Sequence, residues 1–227
     1  MLPAIVEPLG VDARMEQNIY YYQLADGPLG GTLASAQKLN NTAAPQMAGY
    51  ILQLERALFH LGKAQADVSI AVEHVDDVSV TRGRQTLLQE QDKNSVNLDT
   101  EILGNRSKAL WRTLQIWLTQ RQNADGAFCE RYLIVTNTPV NTPIAALMKG
   151  VASGLSQPPE VVSALRAAGK SKSKAKIQQI IDEVLAFDDE VLTELVSRIE
   201  IIDHFDASRS RREIANGLAI DPELMQK

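Results

Sequence analysis

Residues 68–93, VSIAVEHVDDVSVTRGRQTLLQEQDK, limit the possible folds more than any other part of the chain. Apolar residues alternate with small or polar ones at 68–72 and again at 78–80, which is typical of half-buried strands. Gly83 indicates a turn, and the segment TLLQEQ after it continues as a third strand. The pattern therefore predicts a three-stranded antiparallel meander.

Helical patterns lie on both sides of this meander. Before it, apolar residues at helical spacing predict an amphipathic helix from Met47 to about Lys63. After it, a helix is predicted from about Ser107 to Gln122, and the continuous apolar run RYLIVT at 131–136 is typical of a buried strand. The apolar positions of the first helix are Ile51, Leu54, Leu58 and Leu61. The remaining predicted elements are helices at 143–155, 159–168, 175–186 and 188–197, a short strand at 199–202 and a last helix at 208–218.

This order of elements indicates an α/β (α+β) fold in which a central mixed sheet is flanked by helices. With 227 residues, of which 44% are hydrophobic, the chain suits one large domain. Residues 1–45 are rich in Gly, Asn, Ala and Pro and predict an irregular arm, either a flexible tail or a segment packed on a neighbour. Residues 46–157 form the predicted core. Residues 158–227 form a helical C-terminal part of the same domain or a partner-binding extension.

Composition excludes several classes of protein. The net charge of -5 argues against a surface coated with positive charge, so any contact with nucleic acid requires a local basic patch. The single cysteine, Cys129, excludes an intrachain disulfide and gives no support to a cysteine zinc site. No apolar run approaches the roughly 20 residues that cross a bilayer, and the first residues lack the basic start of a secretory signal. We therefore expect a soluble intracellular protein.

The side chains best suited to catalysis are those of Asp77, Gln91 and Lys93. Side chains alternate along a strand, so Gln91 and Lys93 share one face and Asp92 points away from it. An acid on the neighbouring strand, an oxygen ligand and a lysine are what metal-assisted phosphodiester cleavage requires, and Mg²⁺ (or Mn²⁺) takes oxygen ligands. In this hypothesis Asp77 and Gln91 bind the metal, while Lys93 positions the attacking water and offsets developing charge.

The register between the second and third strands decides whether these groups meet. A three-residue loop at 83–85 places Asp77 opposite Gln91, whereas a two-residue loop at 83–84 places it opposite Glu90. The hypothesis therefore predicts the longer loop, or a β-bulge with the same effect. The alternative is a solvated strand face that carries mixed charge.

Four segments occur in an order that resembles a known nuclease domain: GYILQLERAL (49–58), VEHVDDVSV (72–80), LLQEQDKNS (87–95) and NRSKALWRTLQIWL (105–118). Together they are similar to the double-stranded DNA endonuclease domain at the N-terminus of CBASS effector nucleases and of the Lamassu nuclease subunit. That domain belongs to the restriction-endonuclease-like PD-(D/E)xK group. The resemblance covers about residues 47–137 and implies a core of that type, with Asp77, Gln91 and Lys93 as the catalytic set.

The resemblance also suggests further residues for the site. Gln53 matches the glutamine of the family's first helix, Glu55 would place a carboxylate over the metal, and Glu73 on the first strand would support the site. Each has an ordinary alternative, because Gln53 and Glu55 also suit an exposed helix surface and Glu73 also suits pairing with a nearby base. Asp76 is expected to cap the hairpin rather than to bind metal.

A DNA-cleaving site also needs positive charge nearby. Contacts to phosphate fix the position of DNA without reading its sequence, so we expect little sequence preference. Runs of charge are otherwise usually solvated surface. The candidate DNA-binding residues are Arg82, Arg84, Arg106, Lys108, Arg112, Lys172 and Lys174.

The resemblance implies a Mg²⁺-dependent, sequence-relaxed endonuclease that acts as an effector of antiphage defence in the bacterial cytoplasm. Such an enzyme must stay inactive until a signal assembles it, and cutting both strands of DNA needs two sites, which predicts a homo-oligomer. The chain is short for the family, so we expect either a fragment or sensing by partners such as an SMC-like ATPase. The alternative is a non-catalytic adaptor with a nuclease fold, because the neutral Gln91 weakens a metal site.

Overall fold

The computed structural model describes residues 43–95, 97–124, 127–171, 175–206 and 211. The predicted arm lies outside the described residues up to position 42, and so does the predicted last helix apart from Arg211. The described elements are α1 (Ala43–Lys63), β1 (Ser69–Val72), β2 (Val78–Arg82), β3 (Gln85–Lys93), α2 (Lys108–Asn123), β4 (Arg131–Thr136), α3 (Pro143–Ala152), α4 (Pro158–Lys170), α5 (Ala175–Leu185), α6 (Asp189–Ser197) and β5 (Ile199–Ile202). The predicted order of helices and strands is confirmed throughout this part of the chain.

The five strands form one mixed sheet in the order β1-β2-β3-β4-β5. β1, β2 and β3 pair antiparallel and make the predicted meander, while β4 pairs parallel to β3 and β5 parallel to β4. Parallel neighbours need crossover connections, which α2 provides between β3 and β4 and α3–α6 provide between β4 and β5. The predicted mixed α/β architecture with flanking helices is confirmed.

A β-bulge sets the register that the site depends on. Arg82 lies opposite Gln85, so the turn has only two residues, and Gly83 adopts the φ of +59° that such a turn requires. The register then shifts by one residue between Val80 and Thr81. As a result Val78 lies opposite Glu90. Asp77, which precedes Val78 in the chain, is therefore level with Gln91, which follows Glu90 on the antiparallel strand. The predicted register is therefore reached through a bulge rather than through a longer loop.

Helices cover the two faces of the sheet unequally. On one face, Tyr132 and Ile134 of β4 join a large apolar core built with α2 to α6, and Trp111 and Trp117 are fully buried in it. On the other face a smaller cluster around Leu88, Leu133 and Val135 lies on the side where α1 packs. The two tryptophans thus belong to the core.

Helix α1 presents its polar side to the sheet, which the sequence pattern does not suggest. An amphipathic helix usually buries its apolar stripe, but Leu54 and Leu58 are more than half exposed. Gln53 and Arg56 are buried instead, and Arg56 is 1% exposed. The reason lies in the sheet, because Glu90 faces α1 with no exposure to solvent and a buried carboxylate needs a cationic partner.

Candidate active site

The candidate site lies between the sheet and helix α2. Gln91 lies level with Ile134 of β4, and Ile134 points into the core that α2 helps to build. Strand alternation then places Lys93 on the same side. Helix α2 begins where Ser107 accepts a hydrogen bond from the Leu110 amide. Lys108, in its first turn, lines a cavity together with Gln91 and Lys93.

The structure brings the three predicted catalytic side chains together. Lys93 Nζ donates to Gln91 Oε1 over 2.5 Å and lies 3.9 Å from Asp77 Oδ2. The backbone N–H of Asp92 donates to the same Asp77 oxygen over 2.7 Å and fixes its carboxylate against β3. The side chains of Lys93 and Asp77 are 16% and 20% exposed, so small molecules from solvent can reach them.

Asp76 organises this site, a role that the sequence did not predict. The expected local contact is present, because Asp76 Oδ1 accepts a hydrogen bond from the Asp77 amide. The buried carboxylate also accepts the indole N–H of Trp117 over 2.6 Å and a hydrogen bond from the Gln91 amide group. Asp76 thereby fixes which end of Gln91 faces Lys93. A buried tryptophan needs an acceptor for its N–H, and that is the one sequence signal for this contact.

The charges of the site are incompletely balanced. Burial raises the pKa of Asp76 to about 7, against the hydrogen bond from Trp117. Burial also raises the pKa of Asp77, against the opposing charge of Lys93, and burial lowers the pKa of Lys93. All three shifts run against the charged forms, so an added cation would stabilise the carboxylates. Shifts of this kind are common at functional sites.

Gln53 and Glu73 lie beside the site and contact each other. Gln53 Nε2 donates to Glu73 Oε1 over 2.7 Å, so the partner of Glu73 is an amide rather than the base considered as the alternative. Glu73 lies one residue beyond β1 rather than on it, with a φ of +53°, and its N–H donates to the Asp77 carbonyl over 3.1 Å. Glu73, Asp77 and Gln91 line one cavity of about 210 Å³.

Glu55 does not join this group. Its carboxylate is buried and accepts hydrogen bonds from Arg211 Nε at 2.8 and 2.9 Å. Residues 53 and 55 are two positions apart on α1, which is roughly 200° around a helix, so the side that carries Gln53 towards Glu73 carries Glu55 elsewhere. The expectation that Glu55 places a carboxylate over the metal is therefore not met in this structure.

Two of the predicted basic residues lie at the site. Lys108 and Arg112 of α2 line a second cavity, of about 230 Å³, together with Gln91, Lys93 and Thr113. These cations are one helical turn apart, so both reach the same opening.

The other basic candidates lie elsewhere. Arg106 is bound to the Ala168 carbonyl and to Gln178, and it ties α2 to the helices behind it. Arg82 pairs with Asp67 over 2.7 Å near the β2–β3 turn that contains Arg84. From that turn to Gln91 the strand covers about 20 Å, so Arg82 and Arg84 do not lie beside Asp77, Gln91 and Lys93, and their contact with DNA stays a prediction. Lys172 and Lys174 lie outside the described residues.

The donor set at the site suits a hard cation only in part. Asp77 and Gln91 offer oxygen atoms, the kind of ligand that Mg²⁺ takes, and these atoms converge on Nζ of Lys93. Within the described residues, however, no group of three or more His, Cys, Asp or Glu side chains is arranged to hold a metal ion. Any metal would therefore be held by few protein ligands and would keep most of its water, as Mg²⁺ commonly does.

The described helices include none that is long and apolar enough to span a membrane.

Comparison with known proteins yields only distant similarity. No protein-family model and no curated protein matches the chain. The solved structures that are similar to it include three of Cap4 SAVED/CARF-domain containing receptors. One is from Moraxella osloensis (13% identity, TM-score 0.42). Two are from Acinetobacter baumannii, one with the cyclic trinucleotide 3'3'3'-cAAA (14% identity, TM-score 0.43) and a second one (12% identity, TM-score 0.37).

These matches cover 75%, 75% and 76% of this chain. The chain itself spans only 36%, 36% and 35% of the length of those structures. At such identities and TM-scores the similarity does not assign a function, and it gives no support to a PD-(D/E)xK nuclease domain.

Proposed function

We propose that this chain is a metal-dependent endonuclease of double-stranded DNA that acts as an effector in bacterial antiphage defence. The observation that supports this most directly is the meeting of Asp77, Gln91 and Lys93 on one face of the sheet, where Asp77 lines one cavity, Lys93 lines another and Gln91 lines both. The register that produces this arrangement depends on a bulge, and a shift by one residue would send Gln91 and Lys93 to the opposite face.

Each of the three side chains has a role in phosphodiester hydrolysis. Asp77 and Gln91 would hold Mg²⁺ or Mn²⁺ through their oxygen atoms, and such an ion supplies an activated water and charge neutralisation for a phosphate. The lowered pKa of Lys93 leaves a larger fraction of its amine neutral, and only the neutral amine is able to accept a proton from the attacking water. As an ammonium group, Lys93 stabilises negative charge on the phosphate oxygens.

The surroundings of the site suit a polyanionic substrate. Lys108 and Arg112 line the same opening as Lys93, so a phosphate backbone that follows α2 would meet three cations in succession. Contacts of this kind bind any sequence equally well. Because the whole chain is acidic, with a net charge of -5, binding of DNA would depend on this local patch and would weaken as salt concentration rises.

The biological setting of this proposal rests on the sequence resemblance alone. The resemblance implies an enzyme that is inactive until a signal or a partner assembles it, with an SMC-like ATPase or other defence subunits as partners. A homo-oligomer would supply the two sites that cleave both strands.

A second candidate function is a non-catalytic adaptor that keeps the nuclease fold. The contacts of Gln91 favour it, because its amide group donates to Asp76 while its carbonyl accepts from Lys93, so both ends are used within the protein. An adaptor would bind no divalent ion with this cluster.

Plasmid cleavage tests the proposal. The full-length chain in its assembled state is incubated with supercoiled plasmid and Mg²⁺ or Mn²⁺, beside Lys93→Ala and the control Arg131→Ala, whose exposed cation lies at the opposite end of β4 from the site. We expect linear product from the unchanged chain and the control, and a loss of about 100-fold or more for Lys93→Ala. Equal cleavage by Lys93→Ala would remove the assignment. Inability of the unchanged chain to take up Mn²⁺ in a calorimetric titration would favour the adaptor.

A further inference from the structure

Helix α1 carries an apolar stripe on the side that faces away from the sheet. Met47, Ile51, Leu54, Leu58 and Leu61 are 60%, 51%, 56%, 53% and 62% exposed, respectively. They are the majority of the large exposed apolar side chains among the described residues, and they lie on a single helix face. A contiguous apolar patch of this kind usually marks an interaction surface.

The spacing of the stripe indicates what kind of surface packs on it. The intervals from Met47 to Leu61 are four, three, four and three residues, which is the repeat of a two-helix coiled-coil seam. A strict 3.5-residue repeat matches another helix, whereas packing on a sheet or a globular core uses a wider apolar face. The sheet already occupies the opposite side of α1, where Arg56 and His60 bind Glu90.

The residues that flank this seam allow close approach of a second helix. Three of the flanking residues, Ala48, Ala57 and Gly62, are small and leave the backbone accessible, and Tyr50 adds exposed aromatic surface beside the seam. The charge closest to the seam is Glu55, which is neutralised by Arg211. Among the described side chains of α1, therefore, no unpaired charge flanks the seam to oppose an identical helix or to select a different one, so the seam is complementary to itself.

We propose that a second copy of this chain covers the stripe, with the two α1 helices packed antiparallel and Leu54 at the centre of the seam. The stripe is nearly symmetric about Leu54, so an antiparallel pair places Met47 against Leu61 of the second copy. A parallel pair would instead bring two Lys63 side chains and two helix C-termini together, which is unfavourable.

The exposed area is sufficient for such a dimer. Six side chains, the five above and Tyr50 at 56%, are at least half exposed along the seam. Covering them removes on the order of 600 Å² per chain, or about 1,200 Å² in total, the lower bound of a specific stable interface. This inference rests on the geometry of α1 and does not depend on the nuclease proposal.

Sedimentation equilibrium of the full-length chain tests the dimer. We expect the unchanged chain to sediment at twice its mass of 24.9 kDa at micromolar concentration. The double variant Leu54→Glu/Leu58→Glu should sediment as a monomer with an unchanged far-ultraviolet circular dichroism spectrum, because neither side chain contacts the core. The control Leu155→Glu changes a leucine that is 85% exposed on another surface and should remain a dimer.

Two results would overturn the proposal. One is that the unchanged chain sediments as a monomer. If the double variant then also melts at a lower temperature than the unchanged chain, the stripe is covered by other residues of the same chain and not by a second copy. The other is a double variant that remains dimeric, since the contact would then lie elsewhere.

Disulfide crosslinking tests the direction of the helices. Met47→Cys/Leu61→Cys should form a covalent dimer under oxidation and Met47→Cys alone should not, while Cys129 is buried and does not compete. Crosslinking of Met47→Cys alone would contradict the antiparallel arrangement.

Discussion

Strand β3 carries charged side chains on both faces, and the two faces differ in how those charges are stabilised. Towards α1 it presents Glu90, which has no exposed surface and is surrounded by partners. Towards α2 it presents Gln91 and Lys93, at cavities that solvent enters. Glu90, Gln91 and Lys93 lie within four residues of one strand. The difference in how the two faces stabilise their polar groups therefore comes from the side chains that contact them and not from their depth in the sheet.

On the α1 face, the negative charge of one buried carboxylate is compensated by neighbouring side chains. Arg56 donates to both oxygens of Glu90 at 2.6 and 2.8 Å, and His60 lies 2.7 Å away. Burial alone would raise the pKa of Glu90, but these partners outweigh it and lower the pKa to about 2. Asp92 on the same face has no such partner, and burial beside the charge of Glu90 raises its pKa to about 9. This face therefore stabilises the fold and holds one carboxyl group neutral.

The α2 face leaves its groups less well stabilised. The pKa values of Asp76 and Asp77 are raised and that of Lys93 is lowered, so each group would gain from a further charged partner. Proteins commonly tolerate such arrangements where they bind or react with something. We therefore expect substitution of the buried partners, Arg56 on the α1 side and Trp117 behind Asp76, to change stability, and substitution of Asp77 or Lys93 to change chiefly binding.

The largest expected effect on stability comes from Arg56→Ala. This change leaves the buried carboxylate of Glu90 with His60 as its remaining partner and without its bidentate one, and we expect the free energy of unfolding to fall by about 3–5 kcal/mol. Urea denaturation measures it. The matched control is Arg131→Ala, which breaks an Arg–Glu pair of the same 2.6 Å length at the surface and should cost less than about 1 kcal/mol. Equal losses in the two variants would contradict the contrast.

Trp117→Phe should have the next largest effect. It removes the N–H donor from Asp76 and part of a fully buried ring, and we expect a loss of about 2 kcal/mol. Without that donor the pKa of Asp76 rises further, so the deficit should grow between pH 5 and pH 8. Trp111→Phe is the control, because its N–H binds only the Asn105 carbonyl. If the loss of unfolding free energy depended on pH in the same way for both variants, the Trp117–Asp76 hydrogen bond would not be coupled to the titration of Asp76.

Asp92→Asn should increase stability at high pH. The folded-state pKa of Asp92, about 9, lies above its ordinary value of 3.8, so the group stabilises the fold fully only below about pH 4 and this contribution is lost as pH rises towards 9. Asp92→Asn has no carboxyl group to ionise at this position, so its stability does not fall with pH for this reason. We expect a gain of about 1 kcal/mol at pH 8 and almost none at pH 4, measured by urea denaturation at both values. A destabilised variant at pH 8 would show that the charged form of Asp92 is favoured.

The smallest effect on stability is expected for Asp77→Asn. Its carboxylate is partly exposed and its pKa is raised, so loss of its charge should change the free energy of unfolding by no more than about 0.5 kcal/mol at pH 7. Thermal unfolding of this variant beside the unchanged chain measures the difference. A loss above about 2 kcal/mol would place Asp77 with the structural residues of the α1 face.

Much of the architecture follows from local patterns in the sequence. Alternation at 68–72 and 78–80 predicts the meander, and the continuous apolar run at 131–136 predicts the central parallel strand, because each pattern reflects how many faces of the strand are buried. The convergence of Asp77 with Gln91 and Lys93 was predictable because strand alternation leaves only two registers to choose between.

The orientation of α1 and the role of Asp76 were not predictable in this way. Both depend on contacts between distant segments: Arg56 turns the polar side of α1 inward because Glu90 lies beneath it, and Asp76 is held by Trp117, 41 residues later. The position of Arg82 is another case, since it depends on which end of the hairpin carries the site. Local periodicity says which side of a helix is apolar but not which side the rest of the fold requires.

The most direct test of the central claim is calorimetric titration of the full-length chain with Mn²⁺ at pH 7.5, repeated with Asp77→Asn. If the α2 face of β3 is a metal-dependent site, the unchanged chain should bind Mn²⁺ and the variant, although equally stable, should bind at least 10-fold more weakly. Equal binding by the two proteins, or none by either, would contradict the claim that the under-neutralised cluster around Asp77 exists to hold a cation.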